Sequence, residues 1–319
     1  MSAKRGGIVT VFGGSGFIGR YVVQRLAREG WAVRVAVRHP GRAAFLKPLG
    51  EVGQITPLCV PLQDPAAVAA ALDGADAAVN LTGILFESGR QKFQAVHAEG
   101  AQTIAKAAAA AGCGALVHVS AIGAGPEAPA AYARSKGEGE AAVRAAYPEA
   151  VILRPSVVFG PEDGFFNRFA EMARFSPVLP LIGGGKTRFQ PVYVGDVARA
   201  VVAALGDPGC RGKVYELGGP KTYTFKQLLE LLLKTIGRKR ALVNLPFGLA
   251  RLEAAFLELL PVPPLTRDQV TLLQRDNVVT PGAATLADLG IEATAPEAVI
   301  PGYLDKYRPG GRYNSPGAV

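Results

Sequence analysis

A glycine-rich turn close to the N-terminus, between an apolar strand and the start of a helix, constrains this chain more than any other feature. The predicted strand Ile8–Phe12 is mostly β-branched, and Gly13, Gly16 and Gly19 follow it at regular spacing. Glycines at these positions allow a tight turn, let the main chain approach a ligand, and let the helix pack closely on the strand. The helix N-terminus then directs N–H groups and a partial positive charge at an anion. An ordinary strand-to-helix turn is the alternative, but position and flanks favour a loop that holds a dinucleotide pyrophosphate through Gly13, Gly14, Ser15, Gly16, Phe17, Ile18 and Gly19.

The end of the second predicted strand, Ala32–Val37, indicates which dinucleotide is bound. In a parallel sheet this end lies beside the ribose of whatever the glycine loop holds. Sites selective for NAD place a carboxylate there, whereas this chain places Arg38 and His39. A guanidinium can form a fork of hydrogen bonds to a 2′-phosphate. We therefore predict NADP(H) as the cofactor; the alternative is that Arg38 is a solvated loop residue.

Strand and helix patterns alternate through the first half of the chain, which is typical of a parallel sheet covered on both faces. The sequence predicts a Rossmann-type α/β fold, a doubly wound parallel sheet with a smaller C-terminal α/β lobe. The predicted domains are 1–160, with later contributions from about 190–220, and 161–319, with a poorly ordered tail from about 309. The predicted helices are Ile18–Glu29, Ala66–Leu72, Phe93–Ala111 and Tyr132–Tyr147, and the predicted strands are Ile8–Phe12, Ala32–Val37, Ile55–Val60, Ala77–Leu81, Ala115–Val119, Ala150–Leu153 and Val214–Leu217.

The region after Arg154 is richer in turns and is expected to supply most of any substrate pocket. Asp196 and Thr224 are predicted N-caps of two helices. The segment Leu249–Leu265 carries apolar residues at helical spacing and ends in prolines, which favours a packed helix. A partner protein or a bilayer interface is the alternative use of the same face.

Composition narrows the class of protein. The formal charge of +9 favours anionic partners, and the alternative is a basic protein whose charge has no particular partner. The sequence has no stripe of basic residues interleaved with aromatic residues, so the charge does not indicate nucleic-acid binding. The three cysteines and three histidines show no ligand spacing, so we expect no metal, no disulfide, and cysteines buried as small hydrophobes. Neither a signal core nor an apolar run of bilayer length is present, which predicts no transmembrane segment and a cytoplasmic protein, with peripheral membrane contact left open.

A Tyr132-Ala-Arg-Ser-Lys136 motif follows the predicted fifth strand, which leads into Ser120. Residues four apart share one helix face, so the phenol and the ammonium can both reach a nicotinamide ribose. A neighbouring cation is expected to stabilise the phenolate and bring the pKa of Tyr132 closer to neutral. The pair would then support hydride transfer between nicotinamide and a carbonyl, with Tyr132 handling the proton. An exposed helix face is the alternative explanation of the motif.

Four motifs, GGSGFIG, VNLTG, YARSK and LRPSVVFG, make the chain resemble the extended or atypical branch of the short-chain dehydrogenase/reductase superfamily. The resemblance implies that Arg38 meets the 2′-phosphate and that Tyr132 and Lys136 meet the nicotinamide ribose. It further implies that Leu62 lies at the adenine, Leu81, Thr82 and Gly83 at the adjacent ribose region, and Pro155 and Val158 at the nicotinamide. Two departures stand out, because the superfamily often has asparagine where this chain has His97, and its assisting hydroxyl falls one or two positions after Ser120.

A narrower resemblance comes from LRPSVVFGPEDGFFNRFA, FQPVYVGDVARA and LTRDQVTLLQRDNVV, which are similar to the nucleotide-binding accessory subunit of respiratory complex I and its bacterial relatives. It implies tightly held NADPH and a place on the peripheral arm near the membrane and the quinone site.

Three hypotheses follow. The first is a redox-passive, NADPH-bound subunit or assembly factor of complex I, stabilised by its nucleotide. The second is a reductase or epimerase acting on a small carbonyl or quinone-like compound, with Tyr132 as acid/base, Lys136 as its electrostatic partner and Ser120 as a weak orienter. The third is a sensor of the NADP(H) state that engages a regulatory partner. The C-terminal strings favour the first.

Overall fold

The computed structural model describes residues 6–311, so the predicted tail lies largely outside the described residues. Its strands, in chain order, are β1 (Ile8–Phe12), β2 (Ala32–Val37), β3 (Ile55–Cys59), β4 (Ala77–Asn80), β5 (Ala115–Val119), β6 (Val151–Pro155), β7 (Val158–Phe159), β8 (Val178–Ile182), β9 (Arg188–Phe189), β10 (Val192–Tyr193), β11 (Val214–Leu217), β12 (Tyr223–Thr224) and β13 (Ala241–Leu245). Its α-helices are α1 (Phe17–Arg28), α2 (Pro65–Leu72), α3 (Gly100–Ala110), α4 (Ala131–Ala146), α5 (Phe166–Phe175), α6 (Val194–Gly206), α7 (Phe225–Thr235), α8 (Phe247–Leu257), α9 (Arg267–Leu272) and α10 (Pro296–Leu304).

The chain folds into two compact units, each built from separated segments. Unit 1 runs through Pro155 and adds Gly195–Leu217 and Pro281–Ile291, and unit 2 contains Ser156–Val194, Gly218–Thr280 and the residues from Glu292 onward. The segment Pro281–Ile291 joins unit 1 through main-chain pairing, since Glu216 N–H donates to the Ala284 carbonyl at 2.8 Å. This segment lies outside the bounds predicted for the first domain.

Unit 1 is built on a seven-stranded sheet in the order β11-β6-β5-β4-β1-β2-β3, in which every pair of neighbours is parallel. The predicted doubly wound parallel sheet is confirmed. Strand order reverses between β1 and β4, where Phe12 pairs with Ala36 on one side and with Asn80 on the other. Ligands of open parallel sheets bind beyond the carboxyl ends of the strands at such a reversal.

The sheet is held by apolar packing against its helices. One face packs Phe12, Ala78 and Leu116 against buried residues of α2 and α3 such as Leu72 and Ile104. Full burial of a leucine, isoleucine or phenylalanine side chain contributes about 1.5–3 kcal/mol to folding stability relative to exposure. This packing stabilises the sheet whose carboxyl edge carries the polar side chains of the site. The Cys113 and Cys210 thiols are buried as predicted, but Cys59, at the end of the edge strand β3, is exposed.

Two helix starts differ from the sequence-based predictions by more than one residue. The helix predicted from Phe93 begins instead with a π-helical turn, Gln94–Glu99, before α3. The predicted N-cap at Asp196 is wrong, since α6 begins at Val194 and Asp196 lies in its first turn. The predicted N-cap at Thr224 is confirmed, because its hydroxyl accepts from Gln227 N–H within a capping box.

Unit 2 combines three two-stranded sheets, β10-β7, β12-β9 and β13-β8, with α5 and α7–α10. Phe225 belongs to its apolar core, and the partly buried Phe165 and Phe169 pack against that core, the three rings having centroids 5.3–6.0 Å apart. Asp163 is buried, accepts from the N–H groups of Gly160, Phe165 and Asn167, and accepts from the Tyr303 hydroxyl, so one carboxylate organises the turn before α5.

Within residues 6–311, no helix combines the length and the apolar composition needed to cross a bilayer.

Candidate dinucleotide site

The glycine turn between β1 and α1 forms the centre of the site in unit 1. Gly13 has φ +79°, and a Cβ there would lie 3.0 Å from the Leu81 carbonyl, so a side chain is excluded by both backbone angle and space. A Cβ at Gly19 would overlap the backbone of Gly13 and Gly14. Gly16 N–H donates to the Gly13 carbonyl at 3.0 Å and closes the turn. The predicted roles of tight turn and close packing therefore match the local geometry.

The N-terminus of α1 can accept an anion. Gly16 caps the helix without a side-chain hydrogen bond, and the first turn contains no acidic residue. The first N–H groups of a helix lack intrahelical partners and carry the positive end of the dipole. Gly16 is exposed and its neighbours Ser15, Phe17 and Ile18 are half-buried. These residues fit a pyrophosphate group held by main-chain amides.

Arg38 and His39 follow β2 and are both exposed. The Cys59 thiol donates to the Arg38 carbonyl at 3.5 Å, and the Gln91 side-chain amide lies against the Arg38 guanidinium. From Arg38 to Gly50 the chain contains no aspartate or glutamate. The segment after β2 therefore offers a cation and no carboxylate to a ribose.

The loop after β4 lies directly beside the glycine turn. Leu81 N–H donates to the Phe12 carbonyl at 2.9 Å. The buried Asn80 amide fixes the loop, since its oxygen accepts from Thr82 N–H at 3.0 Å and from the Thr82 hydroxyl at 2.6 Å. Gly83 is exposed, with Lys136 Nζ 3.3 Å from the place a Cβ would occupy. Asn80 was not among the predicted site residues, although it lies in the VNLTG string.

Lys136 reaches this loop from α4. Its ammonium is buried and donates to the carbonyls of Val119 at 3.2 Å and Thr82 at 3.4 Å. Burial lowers the pKa of Lys136 to about 8, with the charge of Glu140 acting in the opposite direction. Glu140 in turn receives two hydrogen bonds from Arg154, at 2.9 and 2.6 Å. The lysine is thus a largely protonated group at pH 7 whose position is set by two main-chain oxygens.

Tyr132 lies one turn before Lys136, and its ring packs edge-on to Phe93 at 6.0 Å and to His97 at 5.4 Å. Burial raises the pKa of Tyr132 to about 12. The predicted shift toward neutral is therefore wrong in this structure, because removal of the phenol from water disfavours the phenolate. The spacing alone had given no information about burial.

Two buried histidines complete the polar cluster. His97 Nε2 accepts from Ile84 N–H at 3.0 Å, and Nδ1 lies 2.9 Å from the Ser135 hydroxyl. His118 Nδ1 lies 3.1 Å from the Asn80 amide nitrogen. Burial, followed by the Lys136 charge, lowers the pKa of both imidazoles to about 3. Both rings are neutral at pH 7, and no sequence motif indicates a role for His118.

The remaining predicted residues lie at several places. Ser120 follows β5 and is buried, and its hydroxyl has no hydrogen-bond partner within residues 6–311. Leu62 is half-buried near Gly100, and Pro155 ends β6 and accepts from Ile122 N–H at 3.0 Å. Val158 lies in β7 of unit 2. Among the described residues no three His, Cys, Asp or Glu side chains converge as a metal site.

A doubly wound parallel sheet with a glycine turn at the strand reversal and a Tyr–Lys pair on α4 is the architecture of an extended short-chain dehydrogenase/reductase. The sequence profile of the NAD dependent epimerase/dehydratase family matches residues 9–218. The chain belongs to this family, which confirms the resemblance identified from the sequence motifs.

Individual proteins similar to this chain indicate a narrower group than the family profile does. The chain is 36% identical to NADH dehydrogenase (ubiquinone) 1 alpha subcomplex subunit 9, mitochondrial, of Arabidopsis thaliana, over 97% of this chain and 80% of that protein. It is 34% identical to a ceramide reductase of Caulobacter vibrioides, over 77% of this chain and 76% of that protein. The crystal structure of the NADPH-dependent quinone oxidoreductase QOR2 of Escherichia coli, complexed with NADPH, shares the fold with TM-score 0.72 at 23% identity, covering 91% of this chain and 97% of that one.

Proposed function

We propose that this chain is an NADP(H)-binding accessory or assembly protein of respiratory complex I, held on the peripheral arm close to the cytoplasmic face of the membrane. The observation that carries the proposal is the 36% identity to a complex I subunit across 97% of the chain. A match of this extent includes unit 2, whereas the family profile ends at residue 218. The match to the complex I subunit therefore includes unit 2 residues beyond 218, which lie outside the family profile.

The glycine turn and the α1 N-terminus would hold the pyrophosphate, and Arg38 with His39 would meet the adenosine ribose. Support for the phosphorylated form comes from the exposed guanidinium of Arg38 and from the lack of any carboxylate between Arg38 and Gly50. Thr82, Gly83, Tyr132 and Lys136 would surround the nicotinamide ribose. When bound, NADP(H) supplies a hydride carrier. In the proposed accessory role, the free energy of NADP(H) binding stabilises the native fold.

An exposed apolar surface on unit 2 fits association with a partner. We define the α8 stripe as Leu249, Leu252, Phe256, Leu259, Leu260 and Val262, six large side chains that are 49–82% exposed. Helical spacing places the first three on one side of α8, whereas Ala250 and Ala254 face the core, and the other three follow the end of the helix. A helix that buries alanine and exposes leucine and phenylalanine is typical of a contact surface. We assign the α8 stripe to an apolar surface of complex I.

Affinity purification from native membranes tests this assignment. Tagged wild-type chain is expected to recover complex I subunits and to comigrate with NADH:ubiquinone oxidoreductase activity on native gels. A Leu252→Asp, Phe256→Asp double variant should lose this comigration and retain NADPH binding. Val52→Asp is the matched control, since Val52 is a fully exposed apolar residue of unit 1. Wild type that never comigrates contradicts the association, and a double variant that changes only the oligomeric state assigns the stripe to a second copy.

A reductase is the second candidate function, because the chain is similar to a ceramide reductase and keeps Tyr132 and Lys136. A phenol with a pKa of about 12 is a weak proton donor at pH 7, which favours the passive role. NADPH oxidation in the presence of carbonyl and quinone compounds, compared with Tyr132→Phe, distinguishes the two functions. Turnover that depends on Tyr132 supports the reductase.

A further inference from the structure

A π-helical turn, Gln94–Glu99, leads directly into α3 and contains His97. Such turns hold one more residue than an α-helical turn, change which way the following side chains point, and occur frequently at functional sites. Here His97 is 1% exposed, its ring stacks on Phe93 at 5.4 Å, and its carbonyl occupies the space that a Cβ at Gly139 of α4 would need. The turn therefore fixes His97 between α4 and the loop after β4.

A chain of three hydrogen bonds runs through His97. Ile84 N–H donates to Nε2 at 3.0 Å, Nδ1 faces the Ser135 hydroxyl at 2.9 Å, and that hydroxyl donates to the Tyr132 carbonyl at 2.8 Å. Because a backbone N–H can only donate, Nε2 must be unprotonated and the proton must be on Nδ1. Each donor in the chain then has its acceptor.

His118, beside it, has the opposite tautomer. The Asn80 oxygen is occupied by Thr82, so the Asn80 NH₂ group donates to His118 Nδ1, and the proton of His118 lies on Nε2. Two neutral imidazoles of opposite tautomer therefore flank the loop after β4. They provide an internal comparison in any measurement of histidine protonation.

We propose that His97 is a positioning residue for the nicotinamide half of the site, a neutral Nδ1–H imidazole that fastens the 81–84 loop to the helical turn carrying Tyr132. The inference rests on the proposed NADP(H) site. The fastening needs both ring nitrogens, Nε2 for Ile84 and Nδ1 for Ser135. An asparagine amide reaches only the Nδ1 position, and a glutamine amide reaches only the Nε2 position. His97→Asn thus keeps the Ser135 contact, and His97→Gln keeps the Ile84 contact.

Ligand binding tests the proposal with two probes. NADPH contains both halves of the dinucleotide, whereas 2′,5′-ADP lacks the nicotinamide ribose. Each of His97→Asn and His97→Gln should weaken NADPH binding by about tenfold, the effect of one lost hydrogen bond of about 1.4 kcal/mol, and leave 2′,5′-ADP binding unchanged. Gln94→Ala, an exposed position of the same π-helical turn, should bind both like wild type. Equal losses for both ligands, or no loss, overturn the positioning role.

Nitrogen-15 NMR of labelled histidine gives a second test that does not depend on binding. His97 should show protonated Nδ1 and unprotonated Nε2 from pH 8 to 5, while His118 shows the reverse. An imidazolium at His97 in this range, or an Nε2–H tautomer, overturns the proposal. Wild type that binds neither ligand contradicts the proposed function instead, and the tautomer then decides the role of His97 alone.

Discussion

The two halves of the candidate site are built from different materials. The adenosine half consists of main-chain amides at the glycine turn and an exposed guanidinium at Arg38. The nicotinamide half consists of buried side chains, Asn80, His97, His118 and Lys136, that are hydrogen-bonded to other side chains or to main-chain N–H and C=O groups. The first half depends on backbone shape and surface charge, and the second depends on protonation states inside the protein. Three experiments distinguish these dependences.

Of the three experiments, lowering the pH should have the largest effect, because it destabilises the protein through the buried histidines of the nicotinamide half. The folded pKa of both His97 and His118 is about 3, below the unfolded value of 6.5, so the unfolded chain binds more protons between these values. Stability is therefore full above pH 6.5 and falls as the pH drops. Between pH 7 and 5 the free energy of unfolding should decrease by about 2 kcal/mol for each histidine, about 4 kcal/mol together, as measured by urea denaturation.

A His118→Leu variant sharpens this prediction. It removes one of the two titrating groups and should halve the pH dependence, whatever its stability at pH 7. A free energy of unfolding that is equal at pH 7 and pH 5 in the wild type would contradict the neutral, buried state of both rings.

Backbone shape in the adenosine half is tested by Gly13→Val. A β-branched residue is strongly disfavoured at φ +79°, and its Cβ would crowd the Leu81 carbonyl. We expect NADPH binding to weaken by about 100-fold, equivalent to about 2.7 kcal/mol, in isothermal titration calorimetry. Gly41→Val is the control, because Gly41 has no atom within 4 Å of its Cβ position. Equal losses in both variants would show that a general disturbance, rather than the turn, is responsible.

Surface charge in the adenosine half should give the smallest effect. Arg38→Ala is expected to weaken NADPH binding by about tenfold and to leave NADH binding unchanged, since only NADPH carries the 2′-phosphate. The exposed Arg28, at the opposite end of α1, provides a matched Arg28→Ala control. The difference between NADPH and NADH should shrink in high salt, because exposed charges are screened. A parallel loss of NADH affinity would assign Arg38 a structural role.

The sequence predicted the sheet and the glycine turn because both are local. Ile8–Phe12 and Ala32–Val37 are apolar runs of strand length bounded by turn residues, and their bounds match the structure. The nicotinamide half could not be predicted in the same way. The contact of Ile84 with His97 and the place of Lys136 between two carbonyls depend on packing between distant segments. The pKa of Tyr132 was predicted in the wrong direction because burial was invisible in the spacing of the motif.

Unit 1 is completed only by its last segment, Pro281–Ile291, which pairs with β11 more than sixty positions earlier in the chain. The ribosome therefore releases most of the sheet long before the residues that finish it. Loop closure over such a separation opposes folding, and high contact order slows it. A fragment ending at residue 218, where the family profile stops, would lack this segment together with most of unit 2. The shortest continuous segment of chain that contains all of unit 1 therefore extends to Ile291 and includes most of unit 2.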